Sequence, residues 1–205
     1  MKPITLLPVF VLFLAAACSS SQPAPTVPTA NPPTTAGPVI ETTVVERAVD
    51  DTVPDEPLPD FGPAQDLNEI DGWLQSDIAS LDDLLGKVVV VQFWTFGCHN
   101  CTATIPNLEA LYEEHRGDDF EIVGIHSPEF DYEKDPEAVA DAAGELGVTW
   151  PIALDTAKRT FFSWQKSPAY WPRTYVLDRD GRIRFDHIGE GAYEDLNEAV
   201  ATLLG

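Results

Sequence analysis

The 205-residue chain is short of positive charge: 12 lysines and arginines face 34 aspartates and glutamates, a formal net charge of −22. So acidic a surface excludes the basic footprint that nucleic acid or anionic lipid requires, and leaves the chemistry open. Cysteine is scarcer still, with three residues at 18, 98 and 101. Three cannot build a disulfide framework, and no second pair exists to close a four-sulfur zinc site. Long apolar runs are missing as well. The longest, residues 4–17, falls short of the roughly 20 residues that a membrane-spanning helix needs.

That run suits export. Lys2 precedes it, Ala15-Ala16-Ala17 closes it and Cys18 follows, a pattern that resembles a bacterial lipobox, in which the cysteine is acylated and heads the mature chain. Residues 1–17 are therefore read as a signal peptide and Cys18 as a lipidation site, with the protein held on the outer side of the cell membrane. Plain cleavage at the same Ala-x-Ala, leaving Cys18 a free thiol, is the alternative. Residues 19–60 hold nine of the eighteen prolines and, in their second half, seven acids against Arg47. With no apolar periodicity, residues 18–60 read as a disordered tether spanning about 35 Å as a flexible coil. Residues 61–205 carry 27 acids and 10 bases and suffice for one domain with a sizeable core.

Within that domain, residues 87–94 are a near-continuous Val/Phe run and predict a buried strand. Cys98-His99-Asn100-Cys101 follows at the start of a helical pattern over residues 98–116, which Pro106 should kink and Gly117 should end. Cysteines three apart in a first helical turn lie within about 5–6 Å, near the separation a disulfide tolerates. At a helix N-terminus the first sulfur meets free N–H groups, which favour the thiolate that attacks disulfides. Residues 81–86 read as a helical turn stopped by Gly86. A strand over 120–126, a helix over 136–146, an extended piece over 150–154 and a helix over 156–164 come next. Strands over 173–177 and 182–187 flank the turn Asp178-Arg179-Asp180-Gly181, and a helix over 192–204 ends the chain. The order implies an early βαβ unit and a later hairpin, hence a mixed α/β sheet with helices on both faces.

At this point the residues resemble a known family. Gly86-Lys87-Val88-Val89-Val90-Val91, then Phe93-Trp94-Thr95-Phe96-Gly97 before the cysteine pair, Pro106 five residues after Cys101, Gly124-Ile125-His126-Ser127-Pro128-Glu129-Phe130, and Trp171-Pro172-Arg173-Thr174-Tyr175 are similar to the thioredoxin superfamily. Within it they look most like the extracytoplasmic TlpA-like and DipZ C-terminal-domain-like thiol:disulfide oxidoreductases. The resemblance implies a thioredoxin-like three-layer fold, Cys98 as nucleophile, Cys101 as resolving thiol, and Pro172 as a cis-proline that forms a substrate groove with Trp171. Trp94, His99 and Asn100 would tune the pair. It also implies substrates among exported protein thiols and disulfides, apocytochrome c among the candidates. A membrane electron donor of the DsbD/CcdA kind would recharge the pair, without a cofactor or metal.

Two departures matter. Where classical members keep a buried carboxylate six residues before the nucleophile, this chain has Gln92, which cannot titrate. Glu129 is then the first candidate for the proton acceptor of Cys101 and His126 the second. His99 is also displaced from the position that strongly oxidising members use, so redox direction stays open. Two rival readings remain. Thr95-Phe96-Gly97-Cys98 satisfies half of a peroxiredoxin signature, although Val91 stands where that signature has proline. Cys98 and Cys101 with His187 or His126 offer a two-sulfur, one-nitrogen copper site.

Overall fold

The computed structural model describes residues 57–205; the segments expected to form a signal peptide, the lipidation site at Cys18 and the tether up to residue 56 lie outside them. Six strands form one sheet: β1 (Gly72–Leu74), β2 (Val88–Trp94), β3 (Phe120–His126), β4 (Ile152–Leu154), β5 (Arg173–Leu177) and β6 (Ile183–Ile188). Their order across the sheet is β1-β4-β3-β2-β5-β6. β2 pairs in parallel with β3, and β3 with β4, whereas β1, β5 and β6 join antiparallel. β2 is therefore the central strand, and all seven of its residues are buried. This explains its near-continuous apolar run, interrupted only by Gln92: a strand covered on both faces has no solvent side to mark with polar residues.

Alternate residues of β2 feed two cores. Val88, Val90 and Trp94 pack with Cys101, Ile105 and Leu108 of α1 (His99–His115), Val139 and Ala143 of α2 (Pro136–Leu146), and Leu196 and Val200 of α4 (Tyr193–Leu204). Val89, Val91 and Phe93 face the other way, onto Phe161 and Trp164 of α3 (Arg159–Gln165) and onto the 3-10 turn Leu81–Leu84. The result is the three-layer mixed sheet with helices on both faces that the residues imply. Among the described residues no helix is long and apolar enough to cross a membrane.

Local chemistry sets the element ends. Asp135 caps α2 by accepting from Glu137 N–H, Pro136 fills its first turn, and Gly147 closes it in the left-handed conformation at φ 76°. α1 runs through Pro106 as one element. α3 begins three residues later than its periodicity suggests. The carboxylate of Asp155 accepts from the N–H groups of Thr160 and Phe161, and Lys158 turns left-handed before the helix starts. Two elements escape sequence reading, β1 and a 3-10 turn at Asp131–Lys134. The folded part also begins before residue 61. Asp60 makes a bidentate ion pair with Arg182, and Arg184 donates to the carbonyls of Pro59 and Leu58, which fastens this segment along β6.

Candidate active site

β2 ends at Trp94, and the chain then turns through Thr95-Phe96-Gly97 to enter α1 with Cys98 as its N-cap residue. The Cys98 N–H donates to the Thr95 carbonyl at 3.3 Å, and the Thr102 N–H to the Cys98 carbonyl at 3.1 Å, so the turn and the first helical turn share one cysteine. Cys98 is half-buried and Cys101 fully buried, and both are free thiols. Burial pushes the Cys101 thiol far above its ordinary value, and its hydrogen bond with Cys98 pushes the same way. One sulfur is thus open to a partner and backed by unpaired helix amides, and the other waits protonated behind it. That asymmetry is what attack followed by resolution requires.

Beneath the pair the sheet offers amides and hydroxyls. Gln92 is wholly buried and donates from Nε2 to Thr104 Oγ1 at 2.6 Å, and Thr104 Oγ1 donates to the Cys101 carbonyl at 2.7 Å. Gln92 Oε1 has no partner. His126, at the end of β3, is 2 % exposed, stands edge-on to Trp94 and stacks on Phe96 at 5.6 Å between ring centroids. Its Nε2 lies 3.3 Å from Thr95 Oγ1, and burial pushes its pKa down to about 4. A neutral imidazole so hard to protonate makes a poor base. Trp94 is buried against the α1 face, and its ring and that of Trp150 roof Gly124 so closely that a Cβ there would meet both indole nitrogens.

Glu129, the first candidate for a base, has an exposed side chain and contributes only its backbone N–H. The carboxylate that does enter the site is Glu133, four residues on. Its Oε1 accepts from Gly97 N–H at 2.8 Å, and its Oε2 from the N–H groups of Glu129 at 2.6 Å and Phe130 at 2.7 Å. Desolvation works against its charge. Hydrogen bonds from the Thr95 hydroxyl and these backbone amides outweigh that penalty and hold its pKa below the usual glutamate value. Nothing in the chain marks it, because alternate positions from 129 to 137 are all acidic, and only the 3-10 turn points one of them inward.

The Trp171–Pro172 peptide bond is cis, as is Ser167–Pro168. Trp171 stacks on Phe161 at 4.1 Å, with Lys158 Nζ 5.6 Å above its ring, and donates from Nε1 to the Ser127 carbonyl at 2.9 Å. Ser127 in turn donates its hydroxyl to Asp155. The indole is thereby fixed to the ends of β3 and α3, and β5 begins at the next residue but one. His99 and Asn100 are exposed on the first turn of α1. His187 lies in β6 opposite Thr174. Among the described residues no three His, Cys, Asp or Glu side chains converge as a metal site, so the sulfur-and-imidazole copper set is not assembled.

Comparison with known proteins agrees with this geometry. The model of the AhpC/TSA family matches residues 54–186. Protein DipZ of Mycobacterium bovis is 37% identical over 146 residues, 70% of this chain but only 21% of DipZ, so the chain spans about a fifth of that relative. Thiol-disulfide oxidoreductase YkuV of Bacillus subtilis is 25% identical over 143 residues, which cover 69% of this chain and 94% of YkuV. The crystal structure of a thioredoxin-like superfamily protein superposes with a TM-score of 0.63 at 25% identity, covering 70% of this chain and 97% of its own.

Proposed function

We infer from this site that the chain, which belongs to the AhpC/TSA family, is a thiol-disulfide oxidoreductase acting on exported proteins. The observation that carries the reading is the half-buried Cys98 thiol at the N-cap of α1, hydrogen-bonded to a buried Cys101. The Cys98 thiolate attacks one sulfur of a substrate disulfide. One substrate thiolate leaves, and a mixed disulfide joins substrate to Cys98. Cys101 then attacks the Cys98 sulfur, the mixed disulfide breaks, the second substrate thiol departs, and the protein keeps a Cys98–Cys101 disulfide. Two electrons pass to the substrate, and the two cysteine protons end on its thiols. Gln92 cannot titrate, His126 is too weak a base and Glu133 is held ionised, so the departing thiolate is the base best matched to the Cys101 proton.

Trp171 and Pro172 form one wall of the groove for the substrate chain, and His99 and Asn100 meet it from α1. Acylation at Cys18 and a tether ending before Leu58 keep the domain near the extracytoplasmic face of the membrane, within reach of a DsbD/CcdA-like electron donor. Labelling of the intact protein with a radioactive fatty acid, lost in Cys18→Ala, tests the anchor. For the chemistry, Cys98→Ser is expected to abolish reduction of insulin disulfides, and Cys101→Ser to accumulate mixed disulfides on non-reducing gels. Normal turnover in either variant overturns the reading. Peroxide consumed faster than protein disulfide would instead favour the peroxidase alternative.

A further inference from the structure

We propose that Glu133 is a positioning residue of the dithiol site, a fixed anion that ties the turn before Cys98 to the loop after β3 and biases the pair toward acting as a reductant. This rests on the thiol-disulfide reading above and gives it a direction.

Glu133 has no exposed surface. A carboxylate is taken out of water only where its oxygens find strong donors, and here three backbone amides from two segments meet it. One belongs to Gly97, the residue before Cys98. The approach is so close that a Cβ on Gly97 would run into Glu133 Oε1 and the Tyr132 hydroxyl. The charge is also left uncompensated. None of the ion pairs among the described residues includes Glu133. The titratable groups around it are Cys101 from α1, His126 from β3, whose imidazole burial keeps neutral, and the neighbouring Tyr132, whose hydroxyl shares with Glu133 Oε1 the space over Gly97.

The placement matters because the N-terminus of α1 is where a thiolate would be stabilised. α1 has no acid of its own in the first turn. Glu133, arriving from a separate loop, takes up part of the same positive field and repels a second negative charge; it is one of the influences that raise the Cys101 thiol. A disulfide carries no charge and does not feel this repulsion, whereas a reduced pair with one thiolate does. Oxidation of the pair relieves it. In the exchange of protein disulfide plus two glutathione thiols for protein dithiol plus glutathione disulfide, the carboxylate pushes toward the oxidised protein.

The test is that equilibrium, measured from about pH 7 to about pH 9, where thiolate becomes populated. In E133Q the constant for reduction by glutathione is expected to rise little at about pH 7 and about tenfold at about pH 9, a potential about 30 mV less negative there, and iodoacetamide to alkylate the reduced protein several-fold faster. E133D keeps the charge but shortens the reach, so it should lose as much thermal stability as E133Q while its constant stays within about threefold of wild type, about 15 mV. Should E133Q not fold, E133N set against E133D makes the same comparison. Equal shifts in the neutral and charged variants would reduce Glu133 to a structural clasp, and no shift in either would remove it from the site; both overturn the proposal. A wild-type protein that fails to turn over protein disulfides, with the variants still ordered as expected, sinks the function reading and leaves the Glu133 assignment standing.

Discussion

Replacing His126 with phenylalanine should change how the fold responds to acid. His126 is 2 % exposed, and burial pushes its pKa from about 6.5 in the unfolded chain to about 4 in the folded one. The sign follows from which state binds the proton. Above pH 6.5 neither state does, and the site contributes nothing that depends on pH. As the pH falls from 6.5 toward 4 only the unfolded chain is protonated, so stability is lost through that window and the loss levels off below it. At about 1.4 kcal/mol per unit the full loss is about 3 kcal/mol, with about 2 kcal/mol of it gone by pH 5. Phenylalanine keeps the ring that stands against Trp94 and Phe96 but gives up the contact to Thr95, a difference of about 1 kcal/mol at pH 7. The variant should therefore be the less stable protein at pH 7 and the more stable one at pH 5. Glu133 and the raised Asp155 also titrate in acid, but both are present in each protein and drop out of the difference. Urea unfolding at half-unit steps from pH 7.5 to pH 4.5 reads the two curves. If they run parallel, His126 is not held neutral by burial.

Two further substitutions probe the surroundings of the cysteines. Gly97→Ala forces a methyl group against Glu133 and Tyr132, and should cost about 1–3 kcal/mol in thermal unfolding along with slower disulfide turnover. An unchanged melting temperature would mean that the carboxylate does not close over Gly97. Gln92→Asp puts an acid beneath the resolving thiol, with Thr104 as its neighbour and no cation to compensate it. It should destabilise the protein by about 2–4 kcal/mol at neutral pH and add an ionisation to the pH profile for release of a mixed disulfide from Cys98. A profile identical to that of wild type would separate residue 92 from the cysteine pair.

The parts of the fold that could be read in advance are those whose residues carry their own reason. β2 is apolar on both faces because both are covered, and α2 has its aspartate cap, its first-turn proline and its closing glycine in the chain itself. Segments whose shape depends on a distant partner were not readable. Leu67, Ile70 and Trp73 stand three apart, a helical spacing rather than the alternation of a strand, because this stretch is arranged by β4, to which β1 pairs, and by the core around α3. The start of α3 belongs to the same class, since Asp155 offers its carboxylate to two amides that local periodicity assigns to a continuing helix.

The site divides along the same line. Cys98 and Cys101 declare themselves by spacing, and Pro172 only through the family resemblance of Trp171-Pro172-Arg173-Thr174-Tyr175. The carboxylate of the site does not, because Glu129, Asp131, Glu133, Asp135 and Glu137 are indistinguishable on paper and four of the five are exposed. What singles out Glu133 is a pair of residues far apart in the chain: a glycine at 97, where a side chain would collide, and a 3-10 turn beginning at Asp131 that brings the second residue after it under the backbone of 129 and 130. Gln92 completes the picture from below. With an amide under the buried sulfur and an ionised carboxylate at the rim, the negative charge of this site does not titrate in the range where thiols do. It acts as a constant field on the cysteine site, set by a carboxylate that solvent does not reach and the three backbone amides that hold it.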